Sequence, residues 1–204
     1  MLSLALTGGI ATGKSTFARL FCEMAPETCF FDSDAVVHEL LTKGEVVATV
    51  TASLGQNLTS ADGTLNRSRL RELVFEHPDR RKTLEGILHP LVRAACAASQ
   101  QQARAAGVAA YFLADVPLLY ESGFPLQRDL DVVVACGPAT QRHRLMERSG
   151  FAPDLAEQIL AAQLPIAEKM DRADTVLWNG GEPESLRRQT EHFLLWLKNK
   201  KSKS

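Results

Sequence analysis

No run of about 18 apolar residues, the length a helix needs to cross a bilayer, occurs in this chain of 204 residues. A membrane partner is therefore not expected. A basic leader is also missing, since the N-terminus runs directly into an apolar stretch, and a cytosolic location is the expectation. The four cysteines, Cys22, Cys29, Cys96 and Cys136, form no CxxC pair and sit among apolar neighbours. That spacing speaks against a zinc site or a disulfide framework. An excess of charge of either sign is absent too: the net value is -1, so no global field draws nucleic acid, and an anionic ligand has to be held by a local basic site. The lysines at 198, 200, 201 and 203 read as a frayed, solubilising terminus. Internal repeats are lacking, and the GTPase signatures DxxG and NKxD do not occur.

What the chain does have is 45% apolar content, enough to bury a full core in one domain with insertions. Five short apolar runs read as strands: 2–6, 29–31, 109–114, 131–135 and 175–178. Most lack strict alternation, as strands buried on both faces do. Helical patterns lie between them at 14–24, at several places from 35 to 106, and at 139–148, 154–163, 166–172 and 182–197. This alternation predicts an α/β fold with a parallel sheet covered on both faces, whose ligands bind beyond the carboxyl ends of the strands. About 75 residues separate the second and third strands, far more than a crossover requires. They predict a helical insert in which Asn66 caps one helix and His77-Pro78 closes it. A second excess, broken by Ser149-Gly150, Pro153 and Pro165, fits a mobile lid.

The segment Gly8-Gly9-Ile10-Ala11-Thr12-Gly13-Lys14-Ser15 stands between the first strand and the first helix, the context of a phosphate-binding P-loop. Glycines let backbone N–H groups approach phosphate oxygens. Lys14 would meet the β- and γ-phosphates, Ser15 would offer its hydroxyl to Mg²⁺, and Thr16 would donate to a more distal phosphate. After the second strand come Asp32 and Asp34. Asp32 would orient an acceptor hydroxyl for in-line attack, with helix capping as the alternative. Asp34 would share these duties or bind Mg²⁺ through water. Asp115, just past the third strand, is a candidate metal-shell carboxylate or a structural partner for a Lys or Arg. Glu121 is a weaker candidate, balanced against a solvated acid. In the lid region Arg144 and Arg148 share one helical face, and Arg148 is the better candidate to fold over the phosphates. In the insert, Arg69 and His89 are candidates for an anionic acceptor.

These residues match a family. The chain resembles dephospho-coenzyme A kinases along nearly its whole length, through the P-loop from Leu6, Asp32-x-Asp34-Ala35, Asp62-Gly63-x-Leu65 with Arg69 and Phe75, and His89-Pro90. Val116-Pro117-Leu118-Leu119 with Glu121, Arg144 with Arg148, Ala162-Gln163 and Ala173-Asp174 continue the match. The resemblance implies transfer of the ATP γ-phosphate to the ribose 3'-hydroxyl of dephospho-CoA, with Mg²⁺, as the last step of CoA synthesis. It implies a three-layer P-loop fold with a five-stranded sheet in the order 2-3-1-4-5. The P-loop core would comprise residues 1–34, 107–138 and 173–204, the CoA-binding insert 35–106 and the lid 139–172. The acceptor-orienting acid falls on Asp32, the phosphate lysine on Lys14, the Mg²⁺ hydroxyl on Ser15 and the lid arginine on Arg148. Asn179 joins the P-loop on the ATP side, and Leu118 joins Asp32, Asp34, Arg69, His89, Asp115 and Glu121 on the acceptor side. The chain departs from the family at Ala11 and Thr12, where Gly and Ser are usual; Ala11 would resist a positive φ. It departs again at Trp178, where an acid is usual before Asn179, which leaves ATP against GTP preference open. A nucleoside monophosphate kinase is the rival enzyme, although its phosphate acceptor calls for clustered arginines more than for Asp32. A nucleotide-binding scaffold is the rival outside catalysis.

Overall fold

A computed structural model describes residues 1–60 and 63–201 of the chain. Asp62, part of the motif above, and Lys203 lie outside the described residues.

Five strands form one sheet in the order β2-β3-β1-β4-β5: β1 (Leu2–Gly8), β2 (Thr28–Asp32), β3 (Tyr111–Asp115), β4 (Leu130–Ala135) and β5 (Thr175–Trp178). The central strand β1 runs parallel to β3, with Leu6 opposite Asp115, and parallel to β4, with Gly8 opposite Val134. β5 runs parallel to β4. The expected order and strand positions are found, with shifts at the ends. The third strand begins at Tyr111 instead of residue 109, although Ala110 still accepts from the Leu2 N–H at 3.0 Å.

The chain divides into two compact units, residues 1–31 with 99–204, and residues 32–98. The first contains the sheet. Its strands alternate, so that Leu4, Leu6, Leu113, Val132 and Val134 meet Phe17 and Phe21 of α1 (Lys14–Met24) and Phe193, Leu194 and Leu197 of α9 (Pro183–Lys201). Phe21 sits at the middle of this core, edge-on to Tyr111 with ring centroids 5.5 Å apart and tilted against Phe17 and Phe193. Aromatic pairs of this kind add about 1 kcal/mol each to the burial of their area. On β1's other face Ser3 accepts from Gln100 near the end of α5 (Pro78–Ala106) at 3.0 Å.

Three further helices follow β4 in this unit: α6 (Pro138–Ser149), α7 (Pro153–Ala161) and α8 (Ile166–Arg172). Proline near the start fixes φ where the amide has no helical acceptor, as at Pro138 and Pro153. α6 ends on Gly150, whose left-handed φ of 66° lets its N–H reach the Met146 carbonyl at 2.8 Å. α7 stops at Ala161, two residues before the expected end, which leaves Gln163 outside the helix. α9 continues through Lys198 and Lys200, residues expected to be frayed, and the Lys200 ammonium lies 5.1 Å from the Trp196 ring centre.

The second unit is helical: α2 (Ser33–Leu40), α3 (Gly44–Leu54), α4 (Arg67–Glu76) and the greater part of α5. Its buried residues include Leu40, Val46, Val50, Leu54, Leu58, Leu70, Leu88, Val92 and Cys96. Asn66 caps α4 as expected, accepting from the Arg69 N–H at 3.0 Å, and His77 ends that helix.

Candidate active site

β1 delivers the P-loop to the carboxyl edge of the sheet, and the loop is shaped by its packing. A side chain at Gly9 would collide with the Gln141 amide, and one at Gly13 with the Asn179 amide. Gly13 also has a φ of 95°, a region that glycine alone enters cheaply. These two glycines are thus required by the protein's own neighbours. Ala11 takes a φ of 59° and is the only non-glycine with a positive φ among the described residues. The resistance expected there is therefore real strain.

Side chains from four places grip the loop's backbone. The Ile10 N–H donates to Gln163 Oε1 and the Ile10 carbonyl accepts from Gln141 Nε2, both at 2.9 Å. Thr12 is fully buried; its hydroxyl donates to the Gly9 carbonyl at 2.9 Å, and its own carbonyl accepts from Asn179 Nδ2 at 2.8 Å. Lys169 Nζ donates to the Gly8 carbonyl at 3.3 Å. Ile10, Thr12 and Asn179, expected on the ATP side, are thus bonded to one another's surroundings and fix the loop's shape.

The loop's far end is open. α1 begins at Lys14 with no side-chain cap and no acid in its first turn. The first N–H groups of a helix have no intrahelical acceptor, and together with the helix dipole they favour an anion. They border a cavity of about 350 Å³ lined by Ala11, Gly13, Lys14, Ser15, Thr16, Arg144, Glu147 and Arg148. Arg144 and Arg148 come from one face of α6, one turn apart, so α6 sets two guanidinium groups beside Lys14. Arg144 also faces Cys136, a buried thiol pushed up by desolvation and drawn partly back by the guanidinium.

Behind the loop, Thr7 and Lys169 both donate to the Pro117 carbonyl at 3.0 Å. Lys169 is 0% exposed and pairs with Glu121 at 2.8 Å. Burial lowers the pKa of its ammonium, Glu121 raises it in part, and Lys14 lowers it further. Glu121 also accepts from the Leu164 N–H at 3.0 Å, so its carboxylate is engaged within the fold. Asp115 closes β3 and is 8% exposed; Leu118 is half-buried in the turn beyond it. Trp178 is 47% exposed at the end of β5, with Gln189 bonded to both its N–H and its carbonyl at 2.9 Å.

In the helical unit, Asp32 ends β2 and caps α2, accepting from the Ala35 N–H at 3.0 Å, and Asp34 is exposed in the first turn of that helix. Arg69 donates to the Asn57 carbonyl at 3.0 Å, and His89 is half-buried in α5 next to Pro90. A separate cavity of about 590 Å³ in this unit is lined mainly by α3 and by Thr59, Gly63, Thr64, Leu65 and Arg67. Two residues that grip the P-loop, Gln141 and Lys169, were not singled out from the sequence. Lys169 did leave a signal: with Ile166, Met170 and Ala173 it occupies the i, i+3, i+4, i+7 positions of an apolar stripe, where a lysine is out of place. Gln141 left none.

The family profile described as Dephospho-CoA kinase matches residues 2–184. A dephospho-CoA kinase of Symbiobacterium thermophilum is 42% identical over 94% of this chain and 79% of its own length. One from Geobacillus kaustophilus is 37% identical over 92% of each chain. A Thermus thermophilus protein of known crystal structure superposes with a TM-score of 0.77 at 30% identity, over 96% of this chain and 97% of its own. The chain belongs to the dephospho-CoA kinase family.

Proposed function

We propose that this chain transfers the γ-phosphoryl group of ATP to the ribose 3'-hydroxyl of dephospho-CoA, giving CoA and ADP as the last step of CoA synthesis. The observation that carries this reading is the open, uncapped start of α1 beside a cavity lined by Lys14, Ser15, Thr16, Arg144 and Arg148, in a member of this family. Phosphoryl transfer asks a protein for positioning and for charge stabilisation more than for covalent chemistry. Backbone N–H groups and Lys14 hold the polyphosphate. Arg148, with Arg144 one turn away on α6, meets the charge spread over the transferred group and excludes water that would otherwise hydrolyse ATP.

Ser15 and Asp115 are hard oxygen donors of the kind Mg²⁺ takes, and they belong to segments at the carboxyl ends of adjacent strands β1 and β3. They would hold the ion, which when bound neutralises charge on the β- and γ-phosphate oxygens. Asp32 accepts a hydrogen bond from the 3'-hydroxyl and aims it in line. Its second carboxylate oxygen serves this purpose while Oδ1 caps α2. The helical unit of residues 32–98 takes the CoA end of the acceptor, with Arg69 and His89 as its candidate anion contacts. The reaction belongs to the cytoplasm, where both substrates are soluble.

ADP release by the purified chain should require dephospho-CoA and Mg²⁺ together. In Asp32→Asn, kcat should fall by about 100-fold or more with ATP affinity unchanged. An unchanged rate would remove Asp32 from the reaction, and ADP release without an acceptor would point to a hydrolase.

A further inference from the structure

Lys169 is a fully buried lysine whose ammonium carries three donors, and three acceptors surround it: the Gly8 carbonyl at 3.3 Å, the Pro117 carbonyl at 3.0 Å and Glu121 Oε1 at 2.8 Å. Each acceptor belongs to a different piece of the phosphate site. Gly8 is the first residue of the P-loop. Pro117 starts the turn after β3, two residues beyond Asp115. Glu121 reaches the α7–α8 connection through the Leu164 N–H at 3.0 Å. One residue earlier in that connection, Gln163 accepts from the Ile10 N–H inside the loop.

As a device for stability this arrangement is a poor one. Desolvating an ion pair can cost more than its attraction returns, and apolar replacements of both partners are often neutral or stabilising. What an ammonium with three fixed acceptors supplies is direction. Because a peptide group is planar and trans, holding the Gly8 carbonyl also fixes which way the Gly9 N–H points. Holding Ile10 through Gln163 and Gln141 does the same for the next turn of the loop.

We propose that Lys169, anchored by Glu121, is a positioning residue that holds the P-loop in its phosphate-binding shape and joins that shape to the α7–α8 connection. This rests on the phosphoryl-transfer reading of the site and deepens it. It also assigns Glu121 to the nucleotide side of the reaction, in place of the acceptor contact expected from the sequence.

The double variant Lys169→Met/Glu121→Gln removes both charges together, so no unpaired buried ion is left, and its Gln still accepts from Leu164. ADP binding is read by calorimetry, which needs no acceptor and so stands even if dephospho-CoA proves not to be the substrate; KM values are then taken for ATP and dephospho-CoA. The double variant should keep its helical circular dichroism while the ADP Kd and the KM for ATP rise at least tenfold. The KM for dephospho-CoA should stay within twofold. A folded double variant with wild-type ADP affinity would overturn the proposal. Glu121→Gln alone decides if the double variant does not fold: a threefold or greater loss of ADP affinity with an unchanged acceptor KM supports the proposal. Unchanged ADP affinity with a raised acceptor KM overturns it and returns Glu121 to the acceptor.

Discussion

Ala11 holds a left-handed backbone, φ 59°, inside the P-loop, and it does so without the freedom of glycine. The left-handed region costs an L-residue about 1–2 kcal/mol. Glycine there returns about 0.4–1 kcal/mol of that gain through the greater entropy of its unfolded chain. Ala11→Gly should therefore stabilise the protein by about 0.5 kcal/mol in urea unfolding. A loss of that size would mean that the Ala11 methyl packs better than its backbone suffers. Lys14 is a simpler case. Its ammonium is the one cation carried by the P-loop itself, so Lys14→Ala should weaken nucleotide binding and lower turnover by about 100-fold or more. Titration calorimetry with ADP and steady-state rates check both halves, and wild-type behaviour in either would contradict its place at the phosphates.

α4 and α6 show how differently a helix reveals its purpose. In α4, Asn66 accepts from the Arg69 N–H at 3.0 Å, and loss of such a cap costs about 1 kcal/mol. Asn66→Ala should lower stability by that amount, measured by urea unfolding, with kinetic constants at 25 °C unchanged; an unaffected midpoint would show that water caps the helix equally well. The cap was legible because its residue type and position carry the whole effect. In α6 the i, i+4 pair Arg144 and Arg148 was equally legible as one face, and both line the cavity at the start of α1. Gln141, on the same helix, was not. Nothing local to the sequence says that its amide will meet the Ile10 carbonyl 131 positions away, because that contact exists only once β1 and β4 have paired. Lys169 occupies the middle ground: its place in an apolar stripe marked it as unusual, while its three acceptors come from β1 and from the turn after β3. Removing one of the two α6 guanidinium groups at this cavity, Arg148→Ala, should reduce kcat about 10-fold or more with a smaller effect on KM for ATP. A change in KM alone would make Arg148 a ground-state contact.

Across the molecule, burial favours the neutral form of five thiols and phenols, and this shapes its behaviour in alkali. Burial pushes the Cys96 thiol up to about 12 and also raises Cys22, Cys136, Tyr111 and Tyr120. A group whose folded pKa lies above its unfolded value binds more protons in the folded state. Its stabilising contribution is therefore complete below the unfolded pKa, near 9 for a thiol, and is lost as pH rises toward the folded value. Lys169 shifts the other way and opposes this trend below its ordinary pKa of 10.5, as one group against five. The melting temperature should thus fall between pH 8.5 and 10.5. The stability gap between wild type and Cys96→Ala should narrow over the same range, and a constant gap would mean that Cys96 does not stay neutral on folding.

The parallel sheet and the uneven spacing of its strands were readable at this level because apolar runs, P-loop and long insert are features of the sequence itself, and the strand order followed from the family resemblance. The clamp on the loop was not, since it joins residues of β1, α6, α8 and the end of β5. The account stands or falls on the acceptor. The purified chain should be incubated with Mg-ATP and an equimolar mixture of dephospho-CoA, AMP and adenosine, and the products should be weighed by mass spectrometry and located by ³¹P NMR. One added phosphate on dephospho-CoA, as a 3'-monoester and with the rivals untouched, is the predicted result; phosphorylation of AMP in its place would contradict it.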